Sequence, residues 1–248
     1  MSGPSSDEIP ELGRRLAEDA AAAGLTLPLI GGVAVWIRCP SARTAPLARA
    51  YGDIDLIGRG RDRAAILAFL EARGFEPDRM FNALHGASRL NFSDPGRDLP
   101  VDVLLDRFAM AHALDLRDRL DVDPLTLPLA DLLLTKLQVV SLNAKDLRDL
   151  CALLLDHDLG ASGIDVGRIL AVTRADWGLE HTIHRTIATL GERIGDFGLE
   201  PDASRLVLER AEAIGAALAA APKSAKWKMR ARVGERARWY EEPEEARG

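Results

Sequence analysis

Five residues constrain this chain most. In Asp53-Ile54-Asp55-Leu56-Ile57, acids alternate with aliphatics before the run turns wholly apolar. That period belongs to a half-buried strand rather than a helix. Side chains at i and i+2 of a strand leave on one face, so Asp53 and Asp55 project together while Ile54 enters a core on the other. Two carboxylates held that close repel unless positive charge lies between them. A hard divalent cation with oxygen ligands meets that need, and Mg²⁺ is the usual one beside phosphates. The Asp-x-Asp spacing alone is common here. It recurs at Asp121/Asp123, where Pro124 marks a loop, and at Asp156/Asp158, where an apolar helical run ends before Leu159-Gly160.

A third acid extends the pattern. Val101-Asp102-Val103-Leu104-Leu105 reads as a strand, and Arg89-Leu90-Asn91-Phe92 as its hairpin partner, with turn formers dense over residues 93–98. Three acids on adjacent strands can hold two metals about 3.5–4 Å apart, which stabilises the attacking and leaving oxygens of a phosphoryl displacement. The competing reading is a set of exposed polar positions on an open sheet face. Upstream, an apolar run ends in Gly31-Gly32, and Val33-Ala34-Val35-Trp36-Ile37 then fits either helix or strand. If a helix starts at the glycines, their missing side chains let a phosphate approach backbone N–H groups. A plain tight turn is the alternative.

Taken in order, Ile30-Gly31-Gly32, Asp53-Ile54-Asp55 and Asp102 resemble the polymerase-beta-like nucleotidyltransferase superfamily, over roughly residues 25–158. Within it the chain is most similar to the bacterial abortive-infection type, which includes toxin nucleotidyltransferases. Arg49 stands shortly before the Asp-x-Asp, and Lys136 is followed by Lys145-Asp146-Leu147-Arg148-Asp149. Two features depart from the family pattern. Residues 40–46 lengthen the interval between the glycines and the Asp-x-Asp, and Val33 stands where a Ser or Thr would offer a hydroxyl. The resemblance implies an α/β (α+β) fold, with a mixed sheet flanked by helices and a helical region after it. It implies a Mg²⁺-dependent enzyme, with two ions in catalysis, that moves a nucleoside monophosphate from an NTP to an acceptor and releases pyrophosphate. Asp53, Asp55 and Asp102 would be the catalytic metal ligands, and Gly31, Gly32, Arg49, Lys136 and Lys145 the nucleotide contacts. RNA, protein and small molecule stay open as acceptors, with a cognate antitoxin as a further candidate partner. A non-catalytic member of the fold that binds a nucleotide or a partner protein is the rival reading.

Lys136 sits in the apolar run 129–142, where a lysine is seldom buried without a partner. Either its ammonium reaches a triphosphate or it snorkels to the surface. Lys145 and Asp149 have the i, i+4 spacing of a helical ion pair. A structural role fits Asp146 and Asp149 better than a catalytic one.

The 248 residues carry a net charge of −6, no signal peptide and no apolar run that would span a bilayer. Cys39 and Cys151 have no zinc or disulfide spacing, so the cytoplasm is the expected compartment. Residues 1–6 are rich in Ser, Gly and Pro and read as disordered. A catalytic domain is expected over 7–125 and a helical region over 126–248. Helices are expected at 7–23, at 61–74 with a glycine stop, at 165–190 and at 201–221. The segment from Lys223 to Gly248 has eight Lys/Arg against five Glu, interleaved with Trp227, Trp239 and Tyr240. Such a tail either tracks a nucleic acid or packs its aromatics on the acidic body, and the negative overall charge favours packing. The histidines carry no ligand spacing, although His85 falls just before the hairpin.

Overall fold

The computed structural model describes residues 7–241, so the segment 1–6 lies outside the described residues. The chain folds into two compact units. The first takes in residues up to Arg38, then Arg49–Phe108 and Asp115–Pro128. The second takes in Cys39–Ala48, Ala109–Leu114 and the chain from Leu129 onward.

The first unit follows the order α1 (Glu8–Ala22), β1 (Leu29–Ile30), α2 (Gly31–Arg38), β2 (Ile54–Gly58), α3 (Arg63–Glu71), β3 (Glu76–Pro77), α4 (Arg79–His85), β4 (Arg89–Asp94) and β5 (Leu99–Leu105). Its sheet runs β1-β2-β5-β4-β3. β2 and β5 are parallel, and the other pairs are antiparallel. A separate ribbon pairs β6 (Arg107–Ala109) with β7 (Ala113–Asp115). With the helices this is a mixed α+β fold.

Period-2 alternation decides which sheet face is which. Ile54 and Leu56 on β2, Val101 and Val103 on β5, and Leu90 and Phe92 on β4 are all buried, and their register pairs place them on one face. Helices cover that face. A Cβ at Gly13 of α1 would lie 3.6 Å from Ile54, and one at Gly58 would lie 2.6 Å from Ile66 of α3. α3 stops where expected, with Gly74 at φ +86°, a conformation that glycine adopts without strain. The opposite face carries Asp55, Asp102, Asn91 and Arg89.

The second unit contains α5 (Leu129–Leu137), α6 (Ala144–Asp156), α7 (Val166–Thr173), α8 (Trp177–Arg193), α9 (Pro201–Ala220) and α10 (Ala225–Val233). In the apolar run 129–142, α5 ends at Leu137, which puts Lys136 in its last turn. Asn143 and Asp146 form a capping box that starts α6 there. The helix expected over 165–190 is two helices, because Asp176 accepts from the Leu179 N–H and begins α8. Between α8 and α9 a short 3-10 turn is closed by Gly198 at φ +64°.

Part of the tail packs as expected. Lys223 donates to both oxygens of Glu180 at 2.6 Å, and Trp227 Nε1 donates to Glu180 Oε2 at 3.0 Å. The Arg230 guanidinium lies 4.8 Å over the Trp177 ring. Lys226, Lys228 and Arg232 point outward and stay exposed.

Candidate active site

The site is built on the sheet face opposite Ile54, Leu56, Val101 and Val103. Parallel pairing sets Asp55 of β2 opposite Asp102 of β5, and antiparallel pairing sets Asn91 of β4 opposite the same Asp102. Register partners share a face, so two carboxylates and an amide form a row across three adjacent strands. Asp53 stands one residue ahead of β2 and is exposed. It lies outside the ladder that fixes the other two acids.

The glycines do lead a helix, since α2 begins at Gly31 directly after β1. Gly31 has φ +68°. A Cβ there would sit 2.2 Å from Asp55 Oδ2, so glycine is required by both backbone and space. A Cβ at Gly32 would meet the Arg49 guanidinium at 2.1 Å. That guanidinium lies 4.2 Å over the Tyr51 ring. The structure thus brings Gly31, Gly32, Arg49, Asp55 and Asp102 together in the first unit, with a cation and a carboxylate on either side of the glycines.

Two residues of the site were not anticipated from sequence. Arg89 donates through Nε to Asp102 Oδ1 at 2.8 Å and through a terminal nitrogen to Oδ2 at 2.5 Å, a bidentate clamp between half-buried groups. Asn91 Oδ1 is buried without a hydrogen-bond partner. The signal for both was available in the hairpin. Residues 95–98 close the turn and pair Asp94 with Leu99, and counting back from there puts Asn91 opposite Asp102. His85 ends α4 and rests on Phe81 at 4.6 Å, and Arg89 lies 5.9 Å from that same ring.

Lys136 and Lys145 belong to the second unit. The Lys136 ammonium lies 2.9 Å from Asp149 and 3.4 Å from Asp146, so its charge serves the carboxylates of α6. Asp149, which sequence spacing offered to Lys145, is the nearer of these two acids. Lys145 is exposed in the first turn of α6, with its backbone N–H on Asn143.

The remaining acids of the other Asp-x-Asp copies are structural. Asp121 pairs with Arg59, and Asp123 receives Arg38 at 2.6 Å, both within the first unit. Asp156 accepts from Ser41 N and Oγ, and Asp158 pairs with Arg210, within the second. Cys39 Sγ lies 3.7 Å from His157 Nε2, outside the site. Both cysteines are buried, and burial pushes the Cys151 thiol up to about 12.

The donor set fits a hard cation that arrives with phosphates. Among the described residues, no three His, Cys, Asp or Glu side chains gather to form a metal cage of their own. Mg²⁺ characteristically takes one or two carboxylates and fills its shell with substrate phosphate oxygens. Asp55, the unpartnered oxygen of Asn91 and the close backbone at Gly31 suit that mode, while Arg89 takes both oxygens of Asp102 in this structure. In comparisons with protein-family models and with curated proteins, this chain matches none.

Proposed function

We propose that the first unit binds a nucleoside triphosphate with Mg²⁺ and transfers its nucleoside monophosphate to an acceptor hydroxyl or amine, releasing pyrophosphate. The observation that carries the reading is the pairing of Asp55 with Asp102 on parallel neighbouring strands, with Gly31 backed directly against Asp55. Asp55 and Asp102 would hold the cation, and Asp53 would add an outer ligand. Bound there, Mg²⁺ would neutralise charge on the triphosphate and leaving pyrophosphate.

The chain's own residues do the positioning. Gly31 and Gly32 let phosphate oxygens reach the backbone at the start of α2, where the helix dipole favours negative charge. Arg49, held flat on Tyr51 beside Gly32, adds a guanidinium suited to bidentate phosphate contact. Asp102 would serve the attacking group either as metal ligand or as general base. Phosphoryl-type transfer of this kind depends mostly on positioning and charge neutralisation, and the site supplies both.

The test is transfer itself. The protein is incubated with each α-labelled NTP, Mg²⁺ and a cell lysate fractionated into RNA, protein and small molecules. Label is expected in one fraction, dependent on Mg²⁺ and accompanied by pyrophosphate. No label from any NTP in any fraction would leave the site with binding alone.

A further inference from the structure

The Arg89–Asp102 clamp occupies the oxygens that the proposed function assigns to a cation. Both contacts, 2.8 and 2.5 Å, are charge-assisted hydrogen bonds, and they use both oxygens of the carboxylate. A carboxylate gripped in that way has little left to offer a metal ion.

The placement explains why a guanidinium is there. Asp55 and Asp102 are register partners, and like charges directly opposite on paired strands destabilise the pairing. The row needs positive charge when the protein stands alone. Arg89 reaches Asp102 diagonally, from the β4 position opposite Leu104. It therefore does for the bare site what a cation does for the loaded one. Two residues further along the same strand, Asn91 turns a buried oxygen toward the same row, and that oxygen accepts no hydrogen bond. A buried acceptor left unsatisfied is costly, and a donor or a cation brought to the row would relieve that cost.

We propose that Arg89 is an interlock between metal and nucleotide: it holds Asp102 in the empty site and releases the carboxylate only when nucleotide phosphates take the guanidinium. This rests on the reading of Asp55 and Asp102 as a metal–nucleotide site. On release, Asp102 faces the cation, Asn91 Oδ1 becomes its neighbouring oxygen, and Arg89 pairs with phosphate, for which its planar fork is well matched. A divalent ion alone cannot displace the clamp, because it brings no counter-charge for the guanidinium. The interlock keeps the site from filling with cation before substrate arrives. Arg89 is a positioning residue, acting through Asp102.

The experiment measures metal binding without turnover. Calorimetric or spin-resonance titration of Mn²⁺ is run on wild type, Arg89→Ala, Arg89→Lys and Asp102→Asn, each with and without a non-hydrolysable NTP analogue. Wild type is expected to bind Mn²⁺ weakly alone and tightly with nucleotide. Arg89→Ala is expected to bind Mn²⁺ alone more tightly by about tenfold or more, since a charge-assisted clamp no longer competes, and to lose the enhancement by nucleotide. Arg89→Lys, which keeps one point contact and the charge, is expected to fall between and to hold the fold if the alanine variant does not. Asp102→Asn should bind Mn²⁺ poorly in both conditions. A merely structural arginine predicts weaker metal binding on its removal. So Mn²⁺ affinity that is unchanged or lower in folded Arg89→Lys and Arg89→Ala overturns the interlock while leaving the site standing. Absence of Mn²⁺ binding in every protein, with nucleotide or without, overturns the site reading itself.

Discussion

At the residue scale, two adjacent glycines make opposite demands. Gly31 adopts φ +68°, and its missing Cβ would overlap Asp55 Oδ2 at 2.2 Å. Gly31→Ala should therefore cost about 1–2 kcal/mol from left-handed backbone alone and should push Asp55 out of register with Asp102, so nucleotide binding is expected to fail. At Gly32 the added methyl would meet chiefly the end of Arg49, a flexible group that can swing away, with Tyr51 Cδ1 next at 3.3 Å. Gly32→Ala should thus melt close to wild type while losing nucleotide affinity, because Arg49 no longer lies beside the helix start. Paired thermal melts and nucleotide titrations check both. Equal melting and equal affinity in the two variants would remove the glycines from the site. His112 offers a second residue-scale expectation. Burial holds its imidazole below the ordinary 6.5, against the nearby charges of Asp176 and Glu241. Its Nε2 contacts Thr182 Oγ1 at 2.8 Å. The unfolded chain takes up the proton first, so stability is complete above about pH 6.5 and drains away as pH falls through and below that value. His184 is lowered by burial too and adds in the same direction. The melting temperature should drop from about pH 7.5 to about 5.5, and the drop should be smaller in His112→Gln, which no longer titrates.

At the scale of elements, α5 and α6 are joined by the ion pair of Lys136 with Asp149, at 2.9 Å and with the two side chains only 13 % and 2 % exposed. Removing one partner of a buried pair strands the other charge. Lys136→Ala is expected to destabilise the protein by about 3–5 kcal/mol, and the apolar double change Lys136→Met with Asp149→Leu to recover most of that. Chemical denaturation measures both. A Lys136→Ala variant as stable as wild type would contradict the buried-pair reading. The same elements show how far sequence carried. β2, the β4–β5 hairpin and α3 with its Gly74 stop all follow from local period and turn chemistry. The parallel pairing of β2 with β5 was not legible, because it joins segments brought together by a long crossover rather than by a turn. The end of α5 was not legible either. An apolar run does not encode its own stop, and Asn143 with Asp146 starts the next helix instead. In the site, the acids and glycines stood out because their residue types are costly in a strand or helix without a reason. Arg89 did not, since an arginine on a strand is ordinary until the hairpin register sets it diagonally across from Asp102. The Asp-x-Asp copies at 121/123 and 156/158 share the spacing of 53/55; Pro124 and the helix end before Leu159-Gly160 already set them apart in sequence, and their long-range partners agree.

At the scale of the whole molecule, the chain is acidic overall, yet the proposed site takes a polyanion. The contradiction is resolved locally by Arg49, Arg89 and the start of α2. Among the described residues no helix is long and apolar enough to cross a membrane. The outward cations of α10 leave RNA as an acceptor open to direct assay. Charge reversal at Lys226, Lys228 and Arg232 should leave the melting temperature nearly unchanged, because exposed cations contribute little to folding. If RNA is the acceptor, it should also flatten the salt dependence of RNA binding.

The central claim is that Asp55 and Asp102, set beside Gly31, form a Mg²⁺–nucleotide site, and ligand-linked stability tests it most directly. A non-hydrolysable NTP with Mg²⁺ should raise the melting temperature of wild type, by the equivalent of about 2.7 kcal/mol at a hundredfold excess over Kd, while Mg²⁺ alone should shift it little. Asp55→Asn and Asp102→Asn should both abolish the shift. A shift that survives intact in either variant, or no shift in wild type with any of the four NTPs, would contradict the account.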